Sequence, residues 1–361
     1  MGINSHIEGS IQNKIRYLVG ARYRTLRVLL GSLDTDGAYF PDFYDFQGNI
    51  QYEISKKWET EVLSYISLNN YRVFPVDRTT NTGTFSRPLR LQVYMFGGEE
   101  SRFFNFTNGL SITYKPKKNL RLKLLGSQFY SNEQENFDII GAYILGEVET
   151  DQSKNNFGEI KTVIGSGEYQ DYGRNKLEAN VTNAMFKGQW EKKANFLQWG
   201  IGWQHNQIND KVREWNRLDS AGYSIPYAPN DIVNFKSFIK SRIKMESNFY
   251  DLFVQNSNKI NWDSTSLNIT YGIRYSLSDL NNEHNISPRI QISFKPKFLK
   301  NYTIRLSGGK YIQQPFYREL RDNLGQIHSA LFAQKSIHAV LGLEKEFTIW
   351  NRPFKNIYRS I

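Results

Sequence analysis

The sequence predicts an all-β protein, an antiparallel transmembrane β-barrel that takes up the whole chain, and three observations predict it. The first is strict alternation of apolar and polar residues, clearest in residues 267–276 (LNITYGIRYS). There Leu267, Ile269, Tyr271, Ile273 and Tyr275 alternate with Asn268, Thr270, Gly272, Arg274 and Ser276. A strand points successive side chains to opposite faces, so one face is wholly apolar and the other wholly polar. The segment matches the roughly 9–11 residues a tilted strand needs to cross a bilayer. The second observation is composition. Aromatics are 15% of the chain, with 22 Tyr, 24 Phe and 7 Trp, yet mean hydropathy is −0.57. A barrel reconciles the two, because only alternate residues need be apolar and aromatics gather at the membrane interfaces. The third is that short polar turns alternate with long connections.

Element by element, the alternation recurs. Ile15, Tyr17, Val19, Ala21 and Tyr23 share a face opposite Arg16 and Arg22. Ile50, Tyr52 and Ile54 alternate with Gln51 and Glu53, and Leu110, Ile112 and Tyr114 with Ser111 and Thr113. Leu120, Leu122 and Leu124 alternate with Arg121 and Lys123, and Leu177, Ala179 and Val181 with Glu178, Asn180 and Thr182. Leu197, Trp199, Ile201 and Trp203 share a face opposite Gln198, two glycines and Gln204. Ile290, Ile292 and Phe294, then Tyr302, Ile304 and Leu306, then Ile337, Ala339, Leu341 and Leu343 complete the series. So many period-two matches predict strands rather than helices.

Short turns are expected at Gln12-Asn13-Lys14, Ser55-Lys56-Lys57, Lys115-Pro116-Lys117-Lys118, Lys192-Lys193 and around Lys295-Pro296-Lys297. The stretches 79–100, 131–172 and 206–236, rich in Asp, Asn, Gly and Tyr, are expected as long loops. Short turns on one side and long loops on the other mark an outer-membrane barrel, and the count of hairpins gives about 13–14 strands. The lysines in the short turns suit anionic headgroups, or simply solvate the turns.

Other classes are disfavoured. No segment approaches the ~18 consecutive apolar residues of a membrane-spanning helix. With no cysteine there is no disulfide, thiolate metal site or cysteine nucleophile. The net charge of +11 comes from Lys and Arg scattered at strand ends, which favours a lipid surface over nucleic acid. The five histidines, His6, His205, His284, His328 and His338, include no pair at metal-ligand spacing. His205 and His338 are read as polar-face residues of the lumen or the interfacial girdle. Gly165-Ser166-Gly167 lacks the flanks of a nucleophile elbow, and Gly97-Gly98-Glu99-Glu100 would repel a phosphate. No catalytic group, metal or cofactor is assigned. The aromatic segments Tyr39-Phe40-Pro41 and 223–227 suit stacking on sugars or chelates, or packing among loops.

The ordered segments SHIEGSIQNKIRYLVGARYRTL, YFPDFYDFQGNIQYEIS, NNYRVFP, FGGEESRF, ENFDIIGAYIL and ISPRIQISFKP, running into IRLSGGKYIQQPFYRELRD, resemble the barrel of TonB-dependent outer-membrane receptors, in particular the Bacteroidota-type group. The resemblance implies a 22-stranded barrel with a plugged lumen, placed in a Gram-negative outer membrane and energised by the TonB complex acting through the plug. It implies active import of a scarce nutrient, such as a siderophore, vitamin, glycan or peptide. It also implies that the chain is a barrel piece, without plug, TonB-binding segment, last strands or terminal aromatic. MGINSHIEGSIQNK has no basic and apolar leader pattern.

Within that barrel, Arg16, Arg22, Asn268, Arg274, Arg289, Gln291 and Arg305 lie on polar strand faces. As a set they are expected to face the lumen and meet a plug or an anionic ligand. The competing readings are a plugless passive channel and a soluble all-β binding protein.

Overall fold

A computed structural model describes residues 1–31, 37–84, 86–219, 235–299, 301–349 and 352–360. Its strands are β1 (Gly2–Ile11), β2 (Ile15–Thr25), β3 (Gly37–Ser55), β4 (Trp58–Pro75), β5 (Arg78–Thr84), β6 (Arg87–Lys117), β7 (Leu120–Val148) and β8 (Ile160–Lys192). They continue as β9 (Asn195–Asp219), β10 (Phe235–Trp262), β11 (Thr265–Ser278), β12 (Glu283–Lys295), β13 (Tyr302–Gln313), β14 (Gln334–Ile349) and β15 (Arg352–Ser360). Two short helices, α1 (Arg27–Leu30) and α2 (Tyr317–Leu320), lie in connections.

All ladders are antiparallel, and each strand on the main path pairs with its sequence neighbours, β5 forming a side hairpin on β6. The predicted all-β meander is therefore the observed architecture. Among the described residues β1 and β15 do not pair with one another, so the sheet is an open, partial barrel.

Register is fixed from the short-turn end. The turns at residues 12–14, 56–57, 118–119 and 193–194 close where the sequence places them. A further tight turn, Asp263-Ser264, joins β10 to β11 with both residues at positive φ (38° and 66°). That is the type I′ geometry, whose twist matches the flanking strands. Asp-Ser is not one of the usual residue pairs for this turn, so the sequence does not announce it.

Burial is inverted relative to a soluble protein. Among the described residues the buried apolar side chains are Val212, Leu320 and Ala333, whereas the buried polar ones include Ser67, Ser101, Ser111, Ser131, Ser247, Ser278 and Asn285. Apolar side chains at alternate positions stand exposed, as with Leu252 (55%) and Val254 (44%), Ile273 (47%) and Tyr275 (37%). The chain exposes 24392 Å², against about 15,000 Å² for a compact soluble chain of its mass. A contiguous apolar face of this extent is an interaction surface, and for a strand meander the matching solvent is lipid.

Aromatic pairs border that face. Near the short turns, Trp58 stacks on Tyr114 at 4.4 Å and Trp262 on Phe294 at 6.5 Å. At the far border are Tyr23–Tyr44 (4.9 Å) and Phe104–Tyr130 (6.3 Å). Tyr114 and Phe104 are ten residues apart on β6, which is about 34 Å of strand and about 25 Å along the normal at a 40° tilt. That height is the expected thickness of an outer-membrane apolar band.

Two expectations are corrected. The stretches 79–100 and 131–172 are largely strand, as are the described parts of 206–236 (206–219 and 235–236): β6, β7 and β8 run 31, 29 and 33 residues. Just beyond the upper aromatics neither face meets lipid, so polar residues occupy both and the period-two signal fades although the ladder continues. In β7, Asn132-Glu133-Gln134-Glu135-Asn136 pairs residue for residue with Glu178 to Arg174 of β8. The second correction concerns His205. It shares the face of Trp203, its ring centroid 6.0 Å away, and is therefore a girdle residue on the apolar side. His338 sits edge-on to Tyr311 at 4.9 Å on the polar side, where Gly309 is its ladder partner.

Candidate functional site

The polar face becomes a site where the β13–β14 connection, residues 314–333, folds back across it. The sequence produces a short, sharply turned strap. Glu319 accepts a hydrogen bond from the Phe316 backbone N–H (2.8 Å), closing the first turn of α2. Asp322 accepts from the backbone N–H groups of Leu324 (2.9 Å) and Gln326 (2.8 Å), and the His328 N–H donates to the Leu320 carbonyl (2.8 Å). Gly325 takes a positive φ of 76°, and a Cβ there would lie 2.6 Å from Cβ of Ser241. Only glycine allows the turn to approach β10 so closely.

The strap is anchored at three places. Asp210 of β9 accepts from Tyr317 Oη at 2.6 Å and from Arg321 Nη1 at 2.7 Å. Arg318 reaches Glu133 of β7 at 3.4 Å. At the C-terminal end, Glu283 accepts the Ala333 N–H (2.8 Å) and pairs with Lys335 (2.7 Å), while Asn281 donates to the Leu331 carbonyl (3.0 Å). One connection thus touches β7, β9 and β10, so the polar face is the inner side of a curved sheet. The buried apolar residues fit the same picture: Leu320, 2% exposed, and Ala333 belong to the strap, and Val212 lies beside Asp210 on β9.

Asp210 sits almost wholly out of solvent with two donors on its carboxylate, an arrangement that supports a buried charge. Burial first, and the bond to Asp210 second, push the Tyr317 hydroxyl well above the ordinary tyrosine range. The neutral, donating form is therefore held across neutral pH. Asp322 is held below the usual carboxylate range, chiefly by the Gln326 N–H and then by His328.

Between strap and wall lies a cavity of about 440 Å³, lined by Gln204 and Asn206, Asp251, Arg274, Arg289, Gln314 and Phe316 among others. Gln314 Nε2 is a buried donor without a partner. Two guanidiniums, aromatic rings and an unpartnered amide suit a polar or anionic small molecule.

The seven sequence-predicted residues all fall on this face by register, but they are spread across it. Arg274, 5.7 Å from the Phe253 ring, and Arg289, 4.5 Å from the Tyr311 ring, line the cavity. Arg22 pairs with Asp45 at 2.6 Å and Arg305 with Glu344 at 2.9 Å. Asn268 accepts from Ser257 at 3.3 Å. Gln291 stands between Thr270 and Ser307 in the ladder, and Arg16 beside Gln51. Sequence reasoning missed Asp210, Tyr317 and Arg321. Arg321 follows α2 in an extended conformation, and nothing in the sequence points from Tyr317 and Arg321 back 107 residues to Asp210. Tyr39 and Phe40 lie in β3 and pack on Tyr71 (6.3 Å) and Phe74 (6.0 Å). The aromatic segment 223–227 lies outside the described residues.

No family model and no curated protein sequence matches the chain. Solved structures do. The RagAB peptide transporter superposes with a TM-score of 0.55 at 10% identity, over 95% of this chain and 42% of that one. The siderophore receptor PirA from Acinetobacter baumannii gives 0.55 at 13% identity, over 99% and 54%. BauA, the ferric preacinetobactin receptor of the same organism, gives 0.51 at 12% identity, over 95% and 50%. The chain thus spans about half the length of the solved structures it matches. These neighbours are transporters and receptors rather than enzymes, and identities this low speak for the fold alone. With its open antiparallel meander, outward apolar belt and polar inner face, the chain has the fold of the barrel of TonB-dependent receptors.

Proposed function

We propose that the chain forms part of a Gram-negative outer-membrane transporter that captures a scarce nutrient and imports it with energy delivered by the TonB complex. The observation that carries this reading is the strap seated on the inner face of a lipid-facing sheet, with a cavity containing Arg274, Arg289 and Gln314 beneath it. A passive pore needs a wetted wall, whereas a transporter needs a wall that holds a ligand and then lets go. In this proposal the ligand is a small polar or anionic molecule, a ferric chelate or a short peptide, consistent with what RagAB and PirA handle. The chemistry is binding and gating; no bond is made or broken.

The test is uptake of radiolabelled ferric siderophores and of labelled peptides by cells expressing the intact locus, with and without a functional TonB complex. Uptake that needs the complex, and that falls when Arg274 and Arg289 are both replaced by Gln, supports the proposal. Steady conductance of the purified protein in planar bilayers, with uptake indifferent to TonB, would make the chain a passive channel instead. Recovery of the chain in the soluble fraction without detergent would remove the membrane reading altogether.

A further inference from the structure

The outward face of β8, β9 and β10 above the membrane carries a ladder of like charges. Lys211 on β9 is the register partner of Lys176 on β8 and of Arg242 on β10. One step higher, Arg213 is the partner of Lys240, and one step lower Lys244 adds another cation. Register places all of them on the face that carries Trp203 and Tyr250 lower down. Lys211, Arg213, Lys240, Arg242 and Lys244 are exposed. Among the described residues only Lys176 of this set has a carboxylate partner, Glu178 at 2.7 Å. Like charges directly opposite one another destabilise a ladder, so a row of six cations met at its own level on the same face by only two carboxylates among the described residues, Glu178 and Glu246, marks a surface for a polyanion.

Height selects the polyanion. Lys211 and Arg242 lie eight residues beyond Trp203 and Tyr250, about 20 Å above the aromatic border at a 40° tilt. That is above the lipid carboxyl and glycerol region, where the sugars of an outer-leaflet glycolipid stand. The flanks suit sugars too. Gln134 of β7 continues the row beside Lys176, and Tyr172 stacks on Trp215 at 5.0 Å a few residues higher on the same face. Amides and aromatic faces bind sugar hydroxyls and rings, and the cations bind phosphate.

We propose that this ladder is a docking surface for the phosphorylated sugars of outer-leaflet lipopolysaccharide. It rests on the membrane reading above and lies outside the lumen, so it is separate from the transported ligand. The test uses the chain purified in detergent from outer membranes. Binding of phosphorylated rough lipopolysaccharide is measured for the unaltered protein and for the variant Lys211→Gln, Arg213→Gln, Lys240→Gln, Arg242→Gln. A loss of about tenfold or more in the variant is expected, from roughly 1 kcal/mol per surface cation. Phosphatase-treated lipopolysaccharide should bind the unaltered protein with a comparable loss, which keeps the test valid if the variant misfolds. Equal binding by the variant, no effect of phosphatase, or equal competition by phosphatidylglycerol vesicles or inorganic phosphate would each overturn the proposal. Absence of the chain from the outer-membrane band of a sucrose gradient would sink the membrane reading, whereas its presence with unaltered binding would sink only this one.

Discussion

The lower and upper halves of the long hairpins are made of the same ladder, yet they obey different rules. In the lower half of β10 and β11, Leu252, Val254, Ile273 and Tyr275 face outward and exposed. In the upper half of β7 to β10 the outward positions are Gln134, Lys176, Lys211 and Arg242. Within β7 to β10 the same strands stay paired from one half to the other, with register shifts confined to the far ends, at Leu145/Gly146, Glu147/Val148 and Phe235/Ser237, and a break in the β8–β9 ladder at Arg174 and Asn175. Backbone pairing alone therefore defines the strand, and the medium outside defines the side chains.

The largest test of this contrast is a charge on each half. Ile273→Lys should destabilise the folded protein in lipid vesicles by about 2–4 kcal/mol, the midplane cost for a barrel. Gln134→Glu on the same outward side, directly opposite Lys176, should change it by no more than about 0.5 kcal/mol. Equal effects in chemical-denaturant titrations would remove the distinction between the halves. A smaller effect belongs to the inner face. Asp210→Ala strips Tyr317 and Arg321 of their shared acceptor and should cost about 1–3 kcal/mol, read as lost amide protection of residues 317–328. The belt should keep its protection. Tyr317→Phe removes one neutral donor and should cost about 1 kcal/mol or less.

The pH response sharpens the same comparison. Tyr317 is raised above its ordinary value, so its contribution is complete below about pH 10 and is lost only as the pH climbs past its folded value. Asp322 is lowered, so its contribution is present above about pH 4 and fades as pH falls. Strap protection should accordingly be flat from about pH 5 to pH 9 and weaken on the acid side first, followed by hydrogen exchange with the belt as internal reference. The smallest effect is expected at the tip. Replacing residues 149–159 by a two-residue turn removes the Lys154–Glu149 pair (2.7 Å) but should leave the unfolding free energy within about 0.5 kcal/mol of the parent.

The contrast also explains what the sequence revealed. The belt was legible because lipid enforces period two, as in residues 267–276, and the lysine-rich turns were legible because tight reversals need polar, flexible residues. The upper ladders were not, since a strand wet on both faces has no hydrophobic period to read. The strap was opaque for another reason: Asp210, Glu133 and Glu283 become its anchors only once the sheet curves. Arg274 and Arg289 could be assigned a face from alternation alone, but which of seven polar-face residues share a cavity depended on where the strap comes to rest.

Since β-pairing is set at the short turns, the far ends of the hairpins are free to change length. β11 and β12 stop after 14 and 13 residues, while β7 and β8 continue for 29 and 33 from the same baseline. Adding residue pairs to one upper end, matched on its partner, leaves every belt position facing as before. The architecture therefore separates two kinds of inheritance: a conservative base that any outer membrane accepts, and crowns that can be lengthened, trimmed or exchanged to meet new molecules without redesigning the wall that carries them.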